Sequence, residues 1–237
     1  MHPINKLLLT VLQRIPKGLV KPVAMRYIAG EELEDAVRVV RGFNARGMMA
    51  TVDVLGEDVS TREEAEQARE ACAKVLKTIQ EERLDSNLSI KLTQFGLKIG
   101  DRLCIQAYLR RSEGDVKNLI RAKAKVRLVK GIYEEPETIA FKRTEEIRRN
   151  YLKLLRMLLE AGCSVGIATH DDFLVKSAFQ FIREMNLPQN AYEFQMLYGV
   201  RPKLRDQILA GGHRMRIYVP FGIHWYAYSM RRFQEDP

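Results

Sequence analysis

Short β-type runs alternate with amphipathic helical stretches from residue 47 to the end of the chain. Seven such runs can be identified, and each is rich in apolar and β-branched residues. Because helical patterns fall between most of the runs, we expect parallel strands joined by helical crossovers. The seven predicted strands are residues 48–54, 88–92, 105–109, 126–129, 165–169, 192–197 and 215–219.

Helical patterns also precede the first strand. Residues 31–46 carry one apolar stripe, so we predict an N-terminal helical arm over residues 1–46 and a β/α-barrel domain over residues 47–237. The helix after the first strand is predicted to begin with a capping box of Ser60 and Glu63. The most regular later helix has apolar residues at spacings of four, three and four, namely Ile147, Tyr151, Leu154 and Leu158.

The number of predicted strands is one short of a closed barrel, which has eight βα units in typically about 250 residues. Only residues 93–104 separate the second and third predicted strands, and they show little helical pattern. A parallel crossover needs a dozen or more residues, usually including a helix. We therefore predict an α/β fold, a distorted (β/α)8 or TIM barrel with N-terminal helices. One βα unit is predicted to be missing between Cys104 and Ile105.

The net charge of +9 comes from Lys and Arg interleaved with Glu and Asp along helical stretches. This balance suits an anionic cofactor, an acidic substrate or an anionic membrane surface. A nucleic-acid groove is not expected, because the aromatic residues do not interleave with a basic run. The three cysteines form no CxxC pair and the four histidines show no ligand spacing with them, so we predict reduced thiols and no metal site.

Polar residues and glycines stand where the predicted strands end. Functional residues of a β/α barrel gather at the carboxyl ends of its strands, so these positions predict a site, although strand ends are in general somewhat polar. An unpaired ammonium is costly in an apolar strand, so Lys91 is expected to face a polar cavity or an anion, with a lysine at the strand rim as the alternative. In chain order, the positions are Lys91, Gln106, Lys130–Gly131, Thr169–His170, Gln195, Tyr198–Gly199 and Pro220–Gly222.

Three further observations concern charged side chains near these ends. Arg127 and Lys130 stand three apart on one strand and face opposite sides unless the strand end bends. His170 ends a predicted strand just before an acidic pair, and a lone histidine favours a structural or cofactor contact over proton transfer. Arg231 and Arg232 follow three aromatic residues on one predicted helix, which suits either a clamp for a carboxylate or a solvated face.

Six strings of the sequence, in collinear order, resemble the proline dehydrogenase family. The family uses a distorted β/α barrel that holds FAD, oxidises L-proline to 1-pyrroline-5-carboxylate and passes the electrons to a membrane quinone. The resemblance extends from the N-terminal helices to the last helix. The strings are SIKLTQ (89–94), QAYLRR (106–111), RLVKGIY (127–133), ATH (168–170), FQMLYG (194–199) and the tail from Tyr218 to Arg232.

The resemblance implies a role for each matching residue. Arg127, Lys91 and Tyr218 would act in catalysis, with Arg127 beside the reacting edge of the flavin. L-proline would be bound by Lys91, Tyr133, Tyr218, Arg231 and Arg232, of which the two arginines clamp the carboxylate. FAD would be bound by Gln106, Arg127, Lys130, Gly131, Ile132, Thr169 and His170.

The chain departs from the family pattern at two places. Ile132 replaces the alanine that is usual between the glycine and the tyrosine of the RLVKGIY string. The family's third strand, with an Arg-x-Asp-Met-Glu type sequence, is not found, and its aspartate belongs to the active site. The place where it is missing coincides with the break inferred from the strand count.

Two other functions stay open on the residues alone. One is a lyase that forms a Schiff base with Lys91 or Lys130, and the other is a degenerate barrel that binds flavin or a partner without turnover. The longest early apolar run, residues 7–12, is too short to span a bilayer. We therefore expect a cytoplasmic protein, or one that is peripheral at the inner face of a membrane.

Overall fold

A computed structural model of the chain describes residues 17–56, 61–90, 104–131 and 135–235. Within these ranges the chain forms seven strands in one sheet. The pairs β1–β2, β3–β4, β4–β5 and β5–β6 are parallel. The strands are β1 (Met49–Val54), β2 (Ser86–Ser89), β3 (Cys104–Gln106), β4 (Val126–Val129), β5 (Val165–Ala168), β6 (Tyr192–Leu197) and β7 (Met215–Phe221).

Helices precede the first strand and follow most of the strands, as the alternating pattern predicts. A short 3₁₀ turn, Gln189–Ala191, comes before β6. The α-helices are α1 (Lys17–Ala24), α2 (Leu33–Asn44), α3 (Arg62–Glu81), α4 (Ser112–Arg121), α5 (Thr144–Glu160), α6 (Asp172–Glu184), α7 (Pro202–Ala210) and α8 (Trp225–Glu235).

The strand order is β2-β1-β7-β6-β5-β4-β3. Two strands that follow one another in the sequence, β2 and β3, are therefore the two edges of the sheet. A closed barrel has eight strands, so the strand that would close this order falls between β2 and β3. The described residues form a parallel half-barrel of seven strands, and the predicted complete (β/α)8 barrel is not confirmed.

The position predicted for the break needs a correction. Cys104 and Ile105 are consecutive residues of β3 and pair with Arg127 and Leu128 of β4. The prediction of a break between Cys104 and Ile105 is therefore wrong, because both residues belong to one paired strand. Residues 91–103, which join β2 to β3, lie outside the described ranges.

The other predicted elements agree with the structure to within a few residues, with one shift at the start of α3. The helix is capped by Thr61 and Glu64: the Glu64 amide donates to the Thr61 hydroxyl at 3.2 Å, and the Thr61 amide donates to the Glu64 carboxylate at 3.1 Å. The predicted pair of Ser60 and Glu63 is one residue too early, because the adjacent glutamates allow either register. Ser60 itself lies outside the described residues.

The chain divides into two compact units. Unit 1 contains α1, α2, β1, α3 and β2, the segment Leu197–Val200, and the chain from Ile217 through α8. Unit 2 contains the chain from β3 to Met196 and the segment Arg201–Arg216. In unit 2 the predicted apolar stripe of α5 is confirmed, since Tyr151, Leu154 and Leu158 are all fully buried. None of the described helices is both long and apolar enough to cross a membrane.

Candidate functional site

A buried carboxylate joins the carboxyl ends of β4 and β5 in unit 2. The side chain of Asp171 is 5% exposed and lies 3.2 Å from the Lys130 ammonium. The Arg148 guanidinium, which comes from α5, donates two hydrogen bonds to the same carboxylate at 2.9 and 3.0 Å. Two cations from two other elements therefore converge on one anion at the strand ends.

The turn between β5 and α6 holds Asp171 in this position. Its carboxylate accepts a hydrogen bond from the Phe173 amide at 3.1 Å and thereby caps the start of α6. Its own amide donates to the hydroxyl of Thr169, a buried residue, at 3.1 Å. The backbone on both sides of His170 is fixed by these two bonds.

The charge of the cluster follows from the pKa of its carboxylate. Burial alone would raise the pKa of Asp171, but the hydrogen bonds and positive charges of Arg148 and Lys130 outweigh burial and lower it. Asp171 is therefore an anion at neutral pH, and with its two cations it has a net charge of +1. Because the side chains of Lys130 and Arg148 are 40% and 35% exposed, this positive charge is accessible to an anionic group.

Helix α5 fixes the ends of two more strands. The Asn150 amide donates to the carbonyl of Ala107, which directly follows β3, at 2.7 Å. The Tyr151 hydroxyl donates to the carbonyl of Leu128 in β4 at 3.1 Å. Tyr151 is fully buried, and burial raises the pKa of its hydroxyl far above the ordinary value. Together with Arg148, these residues connect α5 to the ends of β3, β4 and β5.

The end of β4 requires a glycine. Gly131 has a φ of +104°, and a Cβ at this position would lie 2.0 Å from a ring carbon of Tyr108. The Tyr108 amide donates to the Lys130 carbonyl at 2.8 Å. The pairing of the two strand ends therefore brings Gly131 close to the Tyr108 ring. Burial alternates along β4, and Arg127 is half-buried between the buried Val126 and Leu128. Lys130 directly follows the last residue of this strand.

Polar residues also line one face of β6. Glu193 accepts from Arg216 of β7 at 2.6 Å and from the Gln195 amide at 2.8 Å. Burial would raise the pKa of Glu193, but the Arg216 guanidinium more than compensates and lowers it. Gly166 of β5 leaves room for this arrangement, since a Cβ there would lie 2.4 Å from the Gln195 amide nitrogen. The face therefore carries a partly buried ion pair next to Gln195, which was predicted at a strand end and lies two residues before the end of β6.

Two of the remaining predicted cofactor residues of unit 2, Gln106 and His170, accept hydrogen bonds at their backbone carbonyls. The Gln106 carbonyl accepts from the Ser112 hydroxyl at 2.6 Å. The His170 carbonyl accepts from Arg201 at 3.4 Å, and the same guanidinium binds the carboxylate of Asp172. These contacts fix the chain on either side of the predicted residues and leave their roles to be tested. Ile132 and Tyr133 lie outside the described ranges.

The predicted substrate residues other than Tyr133 belong to unit 1. Helix α8 confirms that Arg231 and Arg232 lie on a helix, and the Arg232 guanidinium is 5.1 Å from the centre of the Tyr228 ring. Tyr218 of β7 is half-buried and packs against the apolar cluster that contains Tyr228. The side chain of Arg231 and all of Lys91 lie outside the described structure.

Sequence reasoning missed two members of the unit 2 cluster. Asp171 was visible as the first of two acidic residues after a strand, which is a common helix N-cap signal. Arg148 has no such signal, because only the fold brings this face of α5 to the end of β5. Within the described ranges, no three His, Cys, Asp or Glu side chains are grouped as a metal site would require.

Comparison with known proteins gives the same family for most of the chain. Residues 99–237 match the family model described as proline dehydrogenase. Proline dehydrogenase 1 from Bacillus subtilis subsp. natto is 34% identical, and the match covers 90% of this chain and 87% of that protein. A proline dehydrogenase from Deinococcus radiodurans is 28% identical over 98% of this chain and 94% of that protein.

The alignment with the Bacillus protein also bears on the missing unit. It has 262 positions, whereas 90% of the 237 residues of this chain is about 213 residues. Some 49 positions therefore hold a residue of the relative and none of this chain. A βαβ motif takes 30 or more residues, so the difference is large enough for one βα unit.

Solved structures show the same fold. Proline utilization A from Bdellovibrio bacteriovorus has a TM-score of 0.83 and 23% identity, over 93% of this chain and 33% of that one. The Bradyrhizobium japonicum protein of the same name has a TM-score of 0.68 and 22% identity. The chain thus spans about a third of the length of these larger proteins. The family model and the Bacillus relative, taken together, show that the chain belongs to the proline dehydrogenase family.

Proposed function

We propose that the chain oxidises L-proline to 1-pyrroline-5-carboxylate with FAD as the hydride acceptor. The family supports the reaction, and the observation that carries the cofactor assignment is the cluster of Lys130, Arg148 and Asp171. The cluster lies at the carboxyl ends of β4 and β5, where parallel β/α folds bind their ligands. Its excess of positive charge is accessible, and the diphosphate of a dinucleotide is an anion that would neutralise it.

The residues present fit FAD by the chemistry of their donors. We assign cofactor binding to Gln106, Arg127, Lys130, Gly131, Ile132, Thr169 and His170. FAD, when bound, supplies the ring that accepts the hydride, and its electrons pass on to a membrane quinone. The role of Arg127 is to hold a fixed positive charge that favours the negative charge developing during hydride transfer.

We assign L-proline to a second group of residues. Arg231 and Arg232 bind the carboxylate, which a guanidinium pair can hold in a fixed orientation. Tyr133 shapes the pocket, and Lys91 and Tyr218 complete the side on which the carboxylate is bound. The catalytic contribution of Arg127, Lys91 and Tyr218 is orientation and electrostatics, and no covalent nucleophile is needed.

Two broader assignments belong to the same proposal. We propose that residues 1–46 form a helical arm and residues 47–237 the catalytic domain. We also propose that the protein acts in the cytoplasm or at the inner face of a membrane, where a quinone is available. Peripheral contact with an anionic surface agrees with the net charge of +9.

Two observations favour a second candidate, a barrel that binds flavin without turnover. Among the strands that the structure describes, none joins β2 to β3, and some 49 positions of the Bacillus relative have no counterpart in this chain. The lyase alternative has no such support, since the comparisons point to oxidoreductases and the Lys130 nitrogen is engaged by Asp171.

The two candidates are separated by adding L-proline to the FAD-loaded protein under anaerobic conditions. The catalytic proposal predicts loss of the oxidised flavin absorbance with L-proline and none with D-proline, and a dye acceptor should restore it. FAD that binds but keeps its oxidised spectrum would establish the non-catalytic barrel. A protein that binds no FAD would contradict both candidates.

The substrate assignment is tested with Arg231→Met and Arg232→Met. A hydrogen bond to a charged group contributes roughly 1.5–3 kcal/mol, so each variant should raise the KM for L-proline about 10- to 100-fold. FAD content should stay at the wild-type level, because neither arginine is assigned to the cofactor. Unchanged proline kinetics would return the pair to a solvated face, and loss of FAD would assign it to the cofactor instead.

A further inference from the structure

The N-terminal segment of unit 1 contacts the first residue of α8. The Trp225 indole donates to the Glu31 carboxylate at 2.8 Å. The Lys21 ammonium of α1 lies 2.9 Å from the same carboxylate oxygen. The hydrogen bond from Lys21, aided by that from Trp225 and opposed by burial, lowers the pKa of Glu31. Glu31 is therefore an anion held between the helical arm and the start of α8.

Backbone hydrogen bonds next to Glu31 hold the turn that leads into α8. The Ala29 amide donates to the Pro220 carbonyl at 2.9 Å, and the Gly222 amide donates to the Gly30 carbonyl at 3.0 Å. These bonds fix the end of β7 and the first residue after it. Trp225 follows three residues later, so residues 29–31 engage the chain on both sides of this turn.

Apolar packing surrounds the same contact. Tyr27 and Ile28 of the arm share one buried cluster with Trp225 and Tyr228 of α8. Trp225 is 6% exposed, whereas the Glu31 side chain is 33% exposed. The cluster holds α8 against the arm without fixing its direction, because apolar contacts are non-directional. The hydrogen bond from Trp225 to Glu31 supplies the direction.

We propose that Glu31 is a positioning residue for proline binding, which acts by orienting α8. This inference rests on the proposed function, in which Arg231 and Arg232 of the same helix bind the proline carboxylate. Arg232 stands seven residues after Trp225, or about 10 Å along the helix at 1.5 Å per residue. A tilt of roughly 6° at Trp225 would therefore move Arg232 by about 1 Å, and a 1 Å misplacement can cost about 100-fold in rate.

Three variants separate this role from a general effect on the fold. Glu31→Ala removes both contacts. Glu31→Gln keeps an acceptor for the indole and loses the charge that holds Lys21. Glu34→Ala is the matched control, because Glu34 is a nearby glutamate whose side chain is 76% exposed and lies at the edge of ion-pair distance, 4.0 Å, from Lys74.

Trp225 gives a direct readout because it is the single tryptophan of the chain. Its fluorescence reports on the start of α8 without any turnover. In Glu31→Ala we expect stronger quenching by acrylamide and a shift of the emission to longer wavelength. Glu31→Gln should lie between Glu31→Ala and the wild type, and Glu34→Ala should match the wild type.

Proline kinetics test the positioning itself. Glu31→Ala should raise the KM for L-proline about 10-fold, while Glu31→Gln recovers most of the loss. The dissociation constant of FAD and the midpoint of thermal unfolding should match the Glu34→Ala control. This combination distinguishes a misplaced substrate helix from a destabilised protein.

Two results would overturn the inference in different ways. If Glu31→Ala has the wild-type KM in an active enzyme, Glu31 does not position the substrate residues, whatever happens to the fluorescence. If the fluorescence of Glu31→Ala is also unchanged, the hydrogen bond to Trp225 does not orient the helix. A wild-type protein that binds FAD but does not oxidise proline would instead refute the proposed function, and this inference with it.

Discussion

Two carboxylates in this protein fasten the start of a helix that follows a strand, and they do so in different ways. Asp171 lies in the turn between β5 and α6 itself, is 5% exposed and binds two cations. Glu31 lies 194 residues before its indole partner Trp225 in α8, is 33% exposed and binds one cation. The first belongs to unit 2 and the second to unit 1.

The difference in burial between the two carboxylates predicts that one mainly affects stability and the other mainly affects the position of a helix. The Asp171 carboxylate is almost fully removed from water, so its partners must compensate its desolvation, and their loss should affect the fold. The Glu31 carboxylate is 33% exposed and its partner Lys21 is 44% exposed, so the loss of this ion pair should change stability little. We therefore expect changes at Asp171 to alter stability and cofactor binding together, and changes at Glu31 to alter substrate binding alone.

The largest effect is expected for Asp171→Ala. The change removes a helix cap and leaves two partly exposed cations without their shared anion, so we expect a loss of about 1–3 kcal/mol in the free energy of unfolding. Urea denaturation of the protein without FAD measures it. Because Lys130 loses the group that holds it, FAD should also bind on the order of 10-fold more weakly.

Asp172→Ala is the matched control for this change. Asp172 is the adjacent acid, its side chain is 48% exposed, and it binds Arg201. Exposed pairs contribute about 1 kcal/mol or less, so the control should lie well above Asp171→Ala in stability. Equal losses of unfolding free energy in the two variants would show that burial does not determine how much these carboxylates contribute to stability.

Acid provides a second way to challenge the comparison. The lowered pKa values of Asp171 and Glu31 mean that both stay charged above pH 5, and their contributions are lost only as the pH falls through those lowered values. Any loss of stability between pH 7.5 and 5.5 must therefore come from another group. Among the described residues, His213 is a candidate for that group. Its imidazole stacks on the Phe179 ring with the ring centres 4.5 Å apart, and it shares a 2.9 Å hydrogen bond with the Tyr192 hydroxyl.

Burial, reinforced by the charge of Arg183, lowers the pKa of His213. The unfolded chain then binds more protons than the folded chain below the ordinary value of about 6.5, so stability should fall as the pH is lowered. At pH 5.5 the loss attributable to this group is at most about 1.4 kcal/mol. His213→Gln, which cannot titrate, should flatten the profile from pH 7.5 to 5.5, and an unchanged slope would exclude His213 as its cause.

The smallest effect is expected at an exposed cap. Thr61→Ala removes the hydroxyl that caps α3, for an expected loss of about 1 kcal/mol. Thr144→Ala is the control, because the cap position of α5 is Arg143 and has no side-chain cap bond. Chemical denaturation should therefore rank Asp171, Thr61 and Thr144 in that order. If Thr61→Ala lost as much stability as Asp171→Ala, burial could not explain the difference expected between the two caps.

Most of the fold could be predicted from the sequence because each element depends on a local pattern. The period of two along β6 and the period near 3.6 along α5 are confirmed by their burial. The predicted count of seven strands agrees with the seven strands that the described residues form. The sequence did not place the start of β3 correctly, because nothing in the local pattern shows whether Cys104 belongs to the strand.

The site was less predictable because it depends on contacts between distant residues. Gly131 and Thr169 follow strands and could be identified from that position, but Arg148 and Glu31 lie in helices or loops that only the fold brings into contact. Their partners are 23 and 194 residues away. No local pattern encodes such a separation. The sequence alone therefore cannot distinguish a charged residue that binds a distant partner from one that faces solvent.

The central claim is that cofactor binding depends on residues of unit 2, whereas binding of the proline carboxylate depends on Arg231 and Arg232 of unit 1. Its most direct test is the dissociation constant of FAD for Asp171→Ala and Glu31→Ala, measured by equilibrium titration beside the wild-type protein. We predict an increase on the order of 10-fold for Asp171→Ala, and the wild-type value for Glu31→Ala. Equal weakening in both variants, or weakening in Glu31→Ala alone, would contradict the claim.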